Sequence, residues 1–344
     1  MSRKFDVVIG NPPYQEEAQG EGTRDTPVYH RFMDAAYEVG RKVVLVTPAR
    51  FLFNAGFTPR AWNEKMLADP HLTVPIYVRD SSDLFPGTRI RAGIAVTYRD
   101  ESRDVVPIGT FTAYPELNTI LHKVRESGMA SLETLGITSS RSYRYSDKLY
   151  DDHPEARELR PEGNAALVNT NAFEQFAFLC LPHKPDDGNE YVQLLGVIKN
   201  KRLLRWIRRD YITGPAGFGK YKVAVPAANE PSRLGQMAAP QLLGPDVGVT
   251  QTFITIGAFD TEAEAAACLK YVTSKFARVM LYVLKVTQHN PRNTWTYVPA
   301  QNFTSASDID WSKSIAEVDR QLYAKYGLDP EEIAFVEAEV KSME

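Results

Sequence analysis

The sequence predicts an α/β fold in its first part and a mixed α+β region after it. Short β-rich runs alternate with helical stretches from residue 1 to about 111, an irregular segment follows between 128 and 170, and strand-like runs punctuated by Gly and Pro continue to about 255. Alternating strands and helices are typical of a mainly parallel sheet covered by helices. We therefore expect half of a nucleotide-type sheet, followed by a boundary near residue 150.

The first part opens with the apolar strand FDVVIG. The segment TPVYHRFMDAAYEVG then predicts a helix with Thr26 as N-cap, Pro27 at the first helical position and Gly40 at the end. RKVVLVTP is the next strand, and TPRAWNEKMLAD repeats the Thr-Pro helix start. LTVPIYVRDSS, RAGIAVTYRD and VVPIGTF predict further strands, before a helix from about Pro115 to Ser127.

The later part begins with strand-like segments that include KNKRLLRWIRRD and GPAGFGKYKVAVP. A long helix is predicted from about Thr261, where Glu264 completes a capping box, and the last helix opens with Asp329 as cap and Pro330 next to it. These patterns divide the chain into residues 1–150, 151–300 and a C-terminal helical segment, 301–344.

Composition excludes several classes of protein. The chain has 344 residues, 43% of them hydrophobic and 24% charged, which suits two globular domains with buried cores. No apolar run approaches the length of a membrane span, so we expect a cytoplasmic protein without a membrane partner. The spacing of Cys180 and Cys268 and of the six histidines predicts no metal site. A net charge of −3 excludes a uniformly basic surface but not a local basic face.

The stretch FDVVIGNPPYQ carries the most specific chemistry. A strand that ends in Asn11-Pro12-Pro13-Tyr14 presents a stiff corner at the carboxyl edge of the sheet, where α/β proteins place ligands. The Asn11 amide oxygen and the Pro12 carbonyl form a pair of acceptors suited to a primary amine, and Tyr14 offers a face for a planar ring. Holding both amine hydrogens out of the ring plane makes the nitrogen a better nucleophile toward a methyl group.

This corner resembles the catalytic motif of amino-methyltransferases, above all the adenine-N6 DNA methyltransferases, and FDVVIGNPPYQ is similar to the restriction-modification methylases. The resemblance continues through VVLVTPARFL and the tail from NTWTYVP onward. It implies a Rossmann-like methyltransferase sheet, followed by a target-recognition region, and S-adenosylmethionine as the methyl donor. The same tetrapeptide also occurs in methyltransferases that act on the glutamine amide of release factors and on RNA guanine.

For an adenine inside a duplex the resemblance implies base flipping, which costs on the order of a few kcal/mol. Stacking on one aromatic ring contributes roughly 1–3 kcal/mol, so a second ring beside Tyr14 is expected. The stretch DLFPGTRIRAGIAVTYRD is similar to the family segment that supplies this ring, which makes Phe85 the candidate. The alternative for Phe85 is a core residue that closes the turn before Pro86 and Gly87.

The S-adenosylmethionine half of the family site has no counterpart before Asn11. Family members have a Gly-rich turn after an earlier strand, whereas DLFPGT and GPAGFGKYK both run into predicted strands instead of a helix. We therefore expect either the C-terminal part of a longer enzyme or a second chain that carries the cofactor-binding half or a nuclease. An exposed sheet edge would then lie where further strands belong.

Double-stranded DNA is the expected partner, because basic residues cluster beside Trp206 and further cations and an amide follow. The candidate DNA contacts are Lys199, Lys201, Arg202, Arg205, Arg208, Arg209, Lys220, Lys222, Arg292 and Asn293. The alternative for the basic run is the solvated face of an ordinary strand–helix unit. Three functions stay open: an adenine-N6 DNA methyltransferase, a DNA-binding specificity subunit that depends on a partner chain for catalysis, and a protein-amide methyltransferase.

Overall fold

The computed structural model describes residues 5–16, 26–54, 58–87, 90, 92–159, 166–228, 233–285 and 289–343. The chain divides into two compact units, Met1–Asn118 and Thr119–Glu344. Residues 119–150 therefore pack with the second unit, whereas the sequence predicts a boundary near 150. The assignment of functions to 1–150, 151–300 and 301–344 stays a prediction. Helices and several small sheets together confirm the mixed α/β class.

The first unit is built around a four-stranded sheet. Its elements are, in chain order, β1 (Phe5–Gly10), β2 (Gln15–Glu16), β3 (Thr26–Pro27), α1 (Tyr29–Val39), β4 (Gly40–Pro48), α2 (Arg60–Leu67), β5 (Leu72–Val78), β6 (Ile94–Asp100) and α3 (Pro115–Glu126). The sheet has the order β1-β4-β6-β5, and the boundary between the units falls within α3.

The sheet is only partly parallel, because β1, β4 and β5 run in one direction, as predicted, and β6 runs in the opposite direction. Strands β1 and β4 are parallel, but β6 is antiparallel to both β4 and β5. Residues 79–87, which follow β5, form turns and the short 3-10 helix Ser81–Asp83, and no α-helix lies between β5 and β6 in the described ranges. A pattern of alternating segments does not distinguish such a connection from a helical crossover.

Two local predictions also fail in the first unit. Thr26 and Pro27 do not start the helix, because they pair with β2 as strand β3 and α1 begins only after Val28. The segment VVPIGTF forms no strand. Its backbone is held instead by hydrogen bonds from Val105 to Pro70 and from Gly109 to Leu67, at 2.6 and 2.7 Å.

The core of the first unit lies on the face of the sheet that α1 covers. Tyr29, Met33 and Tyr37 are buried at successive helical turns of α1. The Trp62 ring of α2 packs edge-on against Tyr29 and Phe51, with ring centroids 6.3 and 5.4 Å apart. This core supports the ends of the strands from which the first unit's loops leave.

The second unit contains three small sheets and most of the helices. Its elements are, in chain order, β7 (Arg144–Tyr145), α4 (Asp147–Asp152), α5 (Ala172–Gln175), β8 (Tyr191–Ile198), β9 (Lys201–Arg208), β10 (Ile212–Thr213), β11 (Tyr221–Pro226), β12 (Gln241–Leu243), β13 (Val247–Val249), β14 (Phe253–Phe259), α6 (Glu262–Thr273), α7 (Lys275–Tyr282), α8 (Ile315–Lys325) and α9 (Pro330–Glu339). The sheets have the orders β12-β11-β14, β13-β8-β9 and β10-β7.

Both predicted helix starts in this unit are confirmed. Thr261 forms a capping box with Glu264 at α6, and Asp329 caps α9. The helix from Thr261 is broken, however, because Ser274 is extended and caps a new helix, α7. Asp319 also accepts hydrogen bonds from the first two backbone N–H groups of α7, at 3.0 and 2.9 Å. The Asp319 carboxylate, which belongs to α8, thus stabilises the start of α7 within the segment that the sequence predicts as one continuous helix.

None of the helices in the described ranges combines the length and apolar composition needed to cross a membrane. Cys180 and Cys268 are buried free thiols, and burial raises the pKa of Cys180 to about 12. Among the residues with described positions, no group of three or more His, Cys, Asp or Glu side chains has the arrangement of a metal site.

Candidate functional site

Three strands of the first unit end at one edge of its sheet. Gly10 of β1 lies beside Leu45 of the parallel strand β4, and Pro48 of β4 and Val78 of β5 both pair with Ile94 of β6. The described segments that directly follow these strands are 11–14, 49–54 and 79–87. They leave from the carboxyl edge of the sheet, which is where open α/β sheets bind ligands.

The Asn-Pro-Pro-Tyr corner lies at the protein surface. Asn11 and Pro13 are exposed and Pro12 is half-buried. The corner is held at its far end, because the Tyr14 carbonyl accepts a hydrogen bond from the Val28 N–H at 3.1 Å and β2 then pairs with β3. Two prolines with a fixed φ and this short ladder make the corner stiff. The Asn11 side chain is thus accessible to a ligand.

Tyr14 joins the corner to the core. Its ring is half-buried and packs against the core of the first unit. Burial raises the pKa of Tyr14, and the Asn11 side chain beside its hydroxyl opposes that rise. The phenol therefore stays neutral near pH 7. An aromatic face and an amide lie side by side at the carboxyl edge of β1.

The same core carries three aromatic rings that the sequence interpretation did not single out. Phe53, Tyr77 and Phe111 are half-buried and contact one another edge-on, with ring centroids between 5.5 and 5.9 Å apart. Phe53 ends the short 3-10 helix that follows β4, and Tyr77 is the penultimate residue of β5, so both belong to the carboxyl edge. The three rings have no regular spacing in the sequence that would have predicted this group.

Phe85 lies in the segment after β5, at the same edge as the corner. It is half-buried, and its backbone N–H donates to the Ser81 carbonyl at 2.8 Å in a tight turn. Strand β5 is three positions from β1 in the sheet, a separation of about 14 Å from strand spacing alone. Base stacking and turn packing both stay predictions for Phe85.

Strand β1 has an unusual exposed apolar face. Phe5, Val7 and Ile9 occupy alternate positions of the strand and therefore share one face. They are 55%, 52% and 77% exposed. Within the described ranges β1 pairs with β4 alone, so its other edge carries unpaired backbone groups. This agrees with the expectation of an open edge, and such edges pair readily with other strands.

The Gly-rich segment GPAGFGKYK of the second unit leads into strand β11, as predicted, and not into a helix.

In the second unit, the basic run forms the hairpin β8–β9 and not a strand–helix unit. Lys199 and Asn200 both have positive φ, 47° and 62°, which fits a tight two-residue turn. Lys199, Lys201 and Arg202 are exposed at this tip. Across the described ranges, Lys199 and Lys201 have no ion pair, and the Arg202 guanidinium lies over the Phe253 ring at 5.4 Å.

The basic residues of β9 do not share one face. Alternate residues of a strand point to opposite faces, so Arg205 lies on the same face as the buried Ile207, whereas Arg202, Trp206 and Arg208 lie on the other. The six cations from Lys199 to Arg209 therefore do not form a single continuous phosphate-binding surface.

The last two cations of the run are engaged within the protein. Arg208 contacts Asp210 at 2.6 Å and Asp152 at 3.6 Å, and its guanidinium lies 4.5 Å from the centre of the Tyr211 ring. Arg209 donates to the Ile212 carbonyl at 3.0 Å. These contacts partly neutralise Arg208 and hold Arg209 against the backbone.

Lys222 does not lie at the surface, which corrects its assignment as a DNA contact. It is 1% exposed, and its ammonium group donates to the carbonyls of Phe218, Lys220 and Gly244 at 2.7–3.2 Å. Burial lowers the pKa of Lys222 to about 8. Its neighbour Lys220 is exposed and forms an ion pair with Asp260.

Arg292 and Asn293 line a cleft in the second unit. Arg292 forms an ion pair with Glu133 at 3.1 Å, which neutralises its charge locally. Asn293 is exposed, and its backbone carbonyl accepts hydrogen bonds from Thr296. The predicted base-contacting pair is thus adjacent in the structure, with the arginine already partnered.

Comparison with known proteins finds similarity to restriction-modification enzymes. Residues 1–85 match the family described as Eco57I restriction-modification methylase. Two solved structures are similar over 96% of this chain: the type IIL restriction-modification enzyme MmeI in complex with DNA, at 8% identity and a TM-score of 0.35, and the type IIG restriction endonuclease BpuSI, at 10% identity and a TM-score of 0.34.

The chain spans about half the length of these two structures, 56% and 52% respectively. A search of curated proteins finds no match. The family match includes the Asn-Pro-Pro-Tyr corner and ends at Phe85.

Proposed function

We propose that this chain is the catalytic-loop and DNA-recognition part of a DNA methyltransferase of a restriction-modification system, which methylates the N6 amino group of adenine. The observation that carries the proposal is the exposed Asn11-Pro12 corner at the carboxyl edge of β1. The family match over residues 1–85 supports the methylase class. The sheet order β1-β4-β6-β5 is compatible with part of a Rossmann-like methyltransferase sheet.

Asn11 and Pro12 would orient the amine that receives the methyl group. No residue in the described ranges donates to the Pro12 carbonyl, so this oxygen is available to one amine hydrogen. The Asn11 amide oxygen would accept the other. Two acceptors on one side localise the nitrogen lone pair on the opposite side, where an electrophilic methyl group can approach in line. The chain's contribution is thus positioning.

Aromatic rings would hold the flipped adenine. Tyr14 is the first ring, because it adjoins Asn11 and presents a half-exposed face. Phe85 is the predicted second ring, and Phe53 and Tyr77 are further aromatic residues at the same sheet edge. Each stacked ring would offset roughly 1–3 kcal/mol of the flipping cost.

S-adenosylmethionine would supply the methyl group, but the described residues of this chain do not form its site. Neither Gly-rich segment opens a helix in the described ranges, and β1 has an open edge with exposed Phe5, Val7 and Ile9. The open edge favours further sheet strands from a second chain or from another part of the polypeptide, and it equally suits a specificity subunit that depends on a partner.

A labelled-methyl assay tests the proposal. The chain, with and without a polypeptide that supplies the cofactor-binding half, is incubated with S-adenosylmethionine and duplex DNA, and the product nucleosides are separated by mass. We expect N6-methyladenine only when the cofactor-binding half is present. Methylation of a protein glutamine instead of DNA would support the protein-amide alternative, and no methyl transfer to either substrate by the completed protein would refute the methyltransferase proposal.

The DNA part of the proposal predicts a change in salt dependence. Replacing Lys199 and Lys201 by Gln removes two exposed cations without ion pairs in the described ranges. We expect weaker duplex binding and a salt slope reduced by about 2, because each lost phosphate contact reduces the slope by about 1. Fluorescence anisotropy at several salt concentrations measures both quantities.

The matched control for this pair is Lys220→Gln. Lys220 is also exposed and was predicted to contact DNA, but it already has Asp260 as a partner. We expect its slope to stay close to that of the unchanged protein. Equal effects of Lys220→Gln and of the double replacement would argue against a specific role of the hairpin tip.

A further inference from the structure

The second unit contains a cleft, lined by both polar and apolar groups, that the methyltransferase chemistry does not use. Its volume is about 1010 Å³, at the upper end of the range of small-ligand sites. Five separate parts of the chain line it: 133–140, 170, 227–228, 251–254 and 289–293. A concave site built from several segments can surround a ligand.

The charge of the cleft favours an uncharged ligand. Glu133 and Arg292 are the carboxylate and the guanidinium of its described lining, which also contains His289, and they form an ion pair at 3.1 Å. Thr296 donates a further hydrogen bond to Glu133, so the pair is held in place. A phosphate group requires a net positive site. A neutral polar ring is therefore a better fit than a phosphate.

Two side-chain amides in the lining are available to a ligand. In the described part of the chain, the side chains of Gln251 and Asn293 have no hydrogen-bond partner. Their backbones do: the Gln251 N–H donates to the Val168 carbonyl, and the Asn293 carbonyl accepts from Thr296. An amide presents a donor and an acceptor side by side, which matches the edge of a nucleobase. Ser140 and Thr170 add hydroxyl groups to the same walls.

The segment that carries Asn293 is anchored beneath the cleft. Asn290 is 1% exposed, donates from its amide to the Pro226 carbonyl at 2.9 Å and accepts a hydrogen bond from the buried Lys285. Its backbone N–H donates to the Ala227 carbonyl at 2.8 Å. The cleft wall is therefore pre-organised.

We propose that this cleft binds an unpaired nucleobase of DNA, whose edge is hydrogen-bonded by Gln251 and Asn293. The proposal rests on the DNA-modifying function proposed above. A paired base lies recessed between two phosphate backbones and cannot enter a concave neutral site, whereas an extrahelical or single-stranded base can. The cleft belongs to the second unit, so it is a different site from the Asn11 corner of the first.

Binding of single-stranded oligonucleotides tests the proposal on the full chain. Short labelled homopolymers of each of the four bases are compared by anisotropy with an abasic strand of the same length and charge. We expect at least one homopolymer to bind about fivefold or more tightly than the abasic strand. Gln251→Ala and Asn293→Ala should each remove much of this difference, and Gln241→Ala, a half-buried glutamine outside the cleft, should leave it unchanged.

Equal binding of the abasic strand and all four homopolymers would overturn the proposal, and so would a base preference that survives both amide variants. Asn293 is exposed, so its replacement should not disturb folding, and Gln251→Glu provides a second variant of similar size. The result is independent of methyl transfer. Failure of the methyltransferase proposal would leave the base preference measurable, and loss of the base preference would leave the Asn11 chemistry intact.

Discussion

Replacement of Asn11 by Ala is expected to lower methyl transfer by about 100-fold or more in the protein completed with its cofactor-binding half. The substitution removes one of two acceptors that would hold the target amine. The Pro12 carbonyl alone leaves the amine free to rotate, so the nitrogen lone pair is no longer directed at the methyl group. Single-turnover incorporation of labelled methyl groups into DNA measures the chemical step directly.

Two controls separate this effect from misfolding. Asn11 is exposed at the end of β1, so Asn11→Ala should leave thermal unfolding and duplex affinity nearly unchanged. Asn11→Asp keeps an acceptor oxygen of the same reach and should retain more activity than Asn11→Ala. Equal activity of Asn11→Ala and the unchanged protein would exclude Asn11 from the reaction, and a lowered unfolding temperature together with lost activity would indicate a destabilised first unit.

Replacement of Arg278 by Met is expected to destabilise the second unit by about 3 kcal/mol or more. Arg278 is 3% exposed, and burial lowers its pKa. Its guanidinium donates to the Gly235 and Lys341 carbonyls at 2.9 and 2.6 Å, and to the carbonyls of Thr273 and Ser274. Met fills a similar volume but donates no hydrogen bond, so the carbonyl of the buried Gly235 loses the guanidinium as its donor.

The Arg278 contacts link three distant parts of the second unit: the start of α7, the loop at Gly235 and the C-terminal segment at Lys341. Urea denaturation, monitored by hydrogen exchange of the backbone amides in α7 and α9, measures the loss in free energy of unfolding for this unit alone. Arg320→Met, on the exposed surface of α8, is the matched control and should change stability by less than about 0.5 kcal/mol. Similar losses in the two variants would contradict a specific role of the buried guanidinium.

The sequence-based predictions that depend on interactions between neighbouring residues were the most successful. The capping boxes at Thr261 and Asp329 were predictable because the cap and its partner are three residues apart and bond within one helical turn. The position of the Asn11 corner after a strand was predictable for the same reason, since two prolines fix their own backbone and end the strand. The exposure of Asn11 agrees with that interpretation.

Predictions that depend on distant partners were less successful. Lys222 belongs to a basic segment, yet the fold buries it among three backbone carbonyls. Thr26 is a residue type that often caps helices, but here it belongs to strand β3, which pairs with β2. No spacing of residues in the sequence predicts the aromatic group of Phe53, Tyr77 and Phe111 or the cleft around Gln251.

By itself the sequence determined the stiff acceptor corner at Asn11-Pro12, the aromatic residue beside it and the helix caps, because backbone dihedrals and neighbouring side chains establish these features. Only the tertiary structure decided which strands run antiparallel, which cations reach solvent and which amides line a cleft. Those outcomes depend on contacts between residues far apart in the chain, whose burial and partners no local pattern specifies.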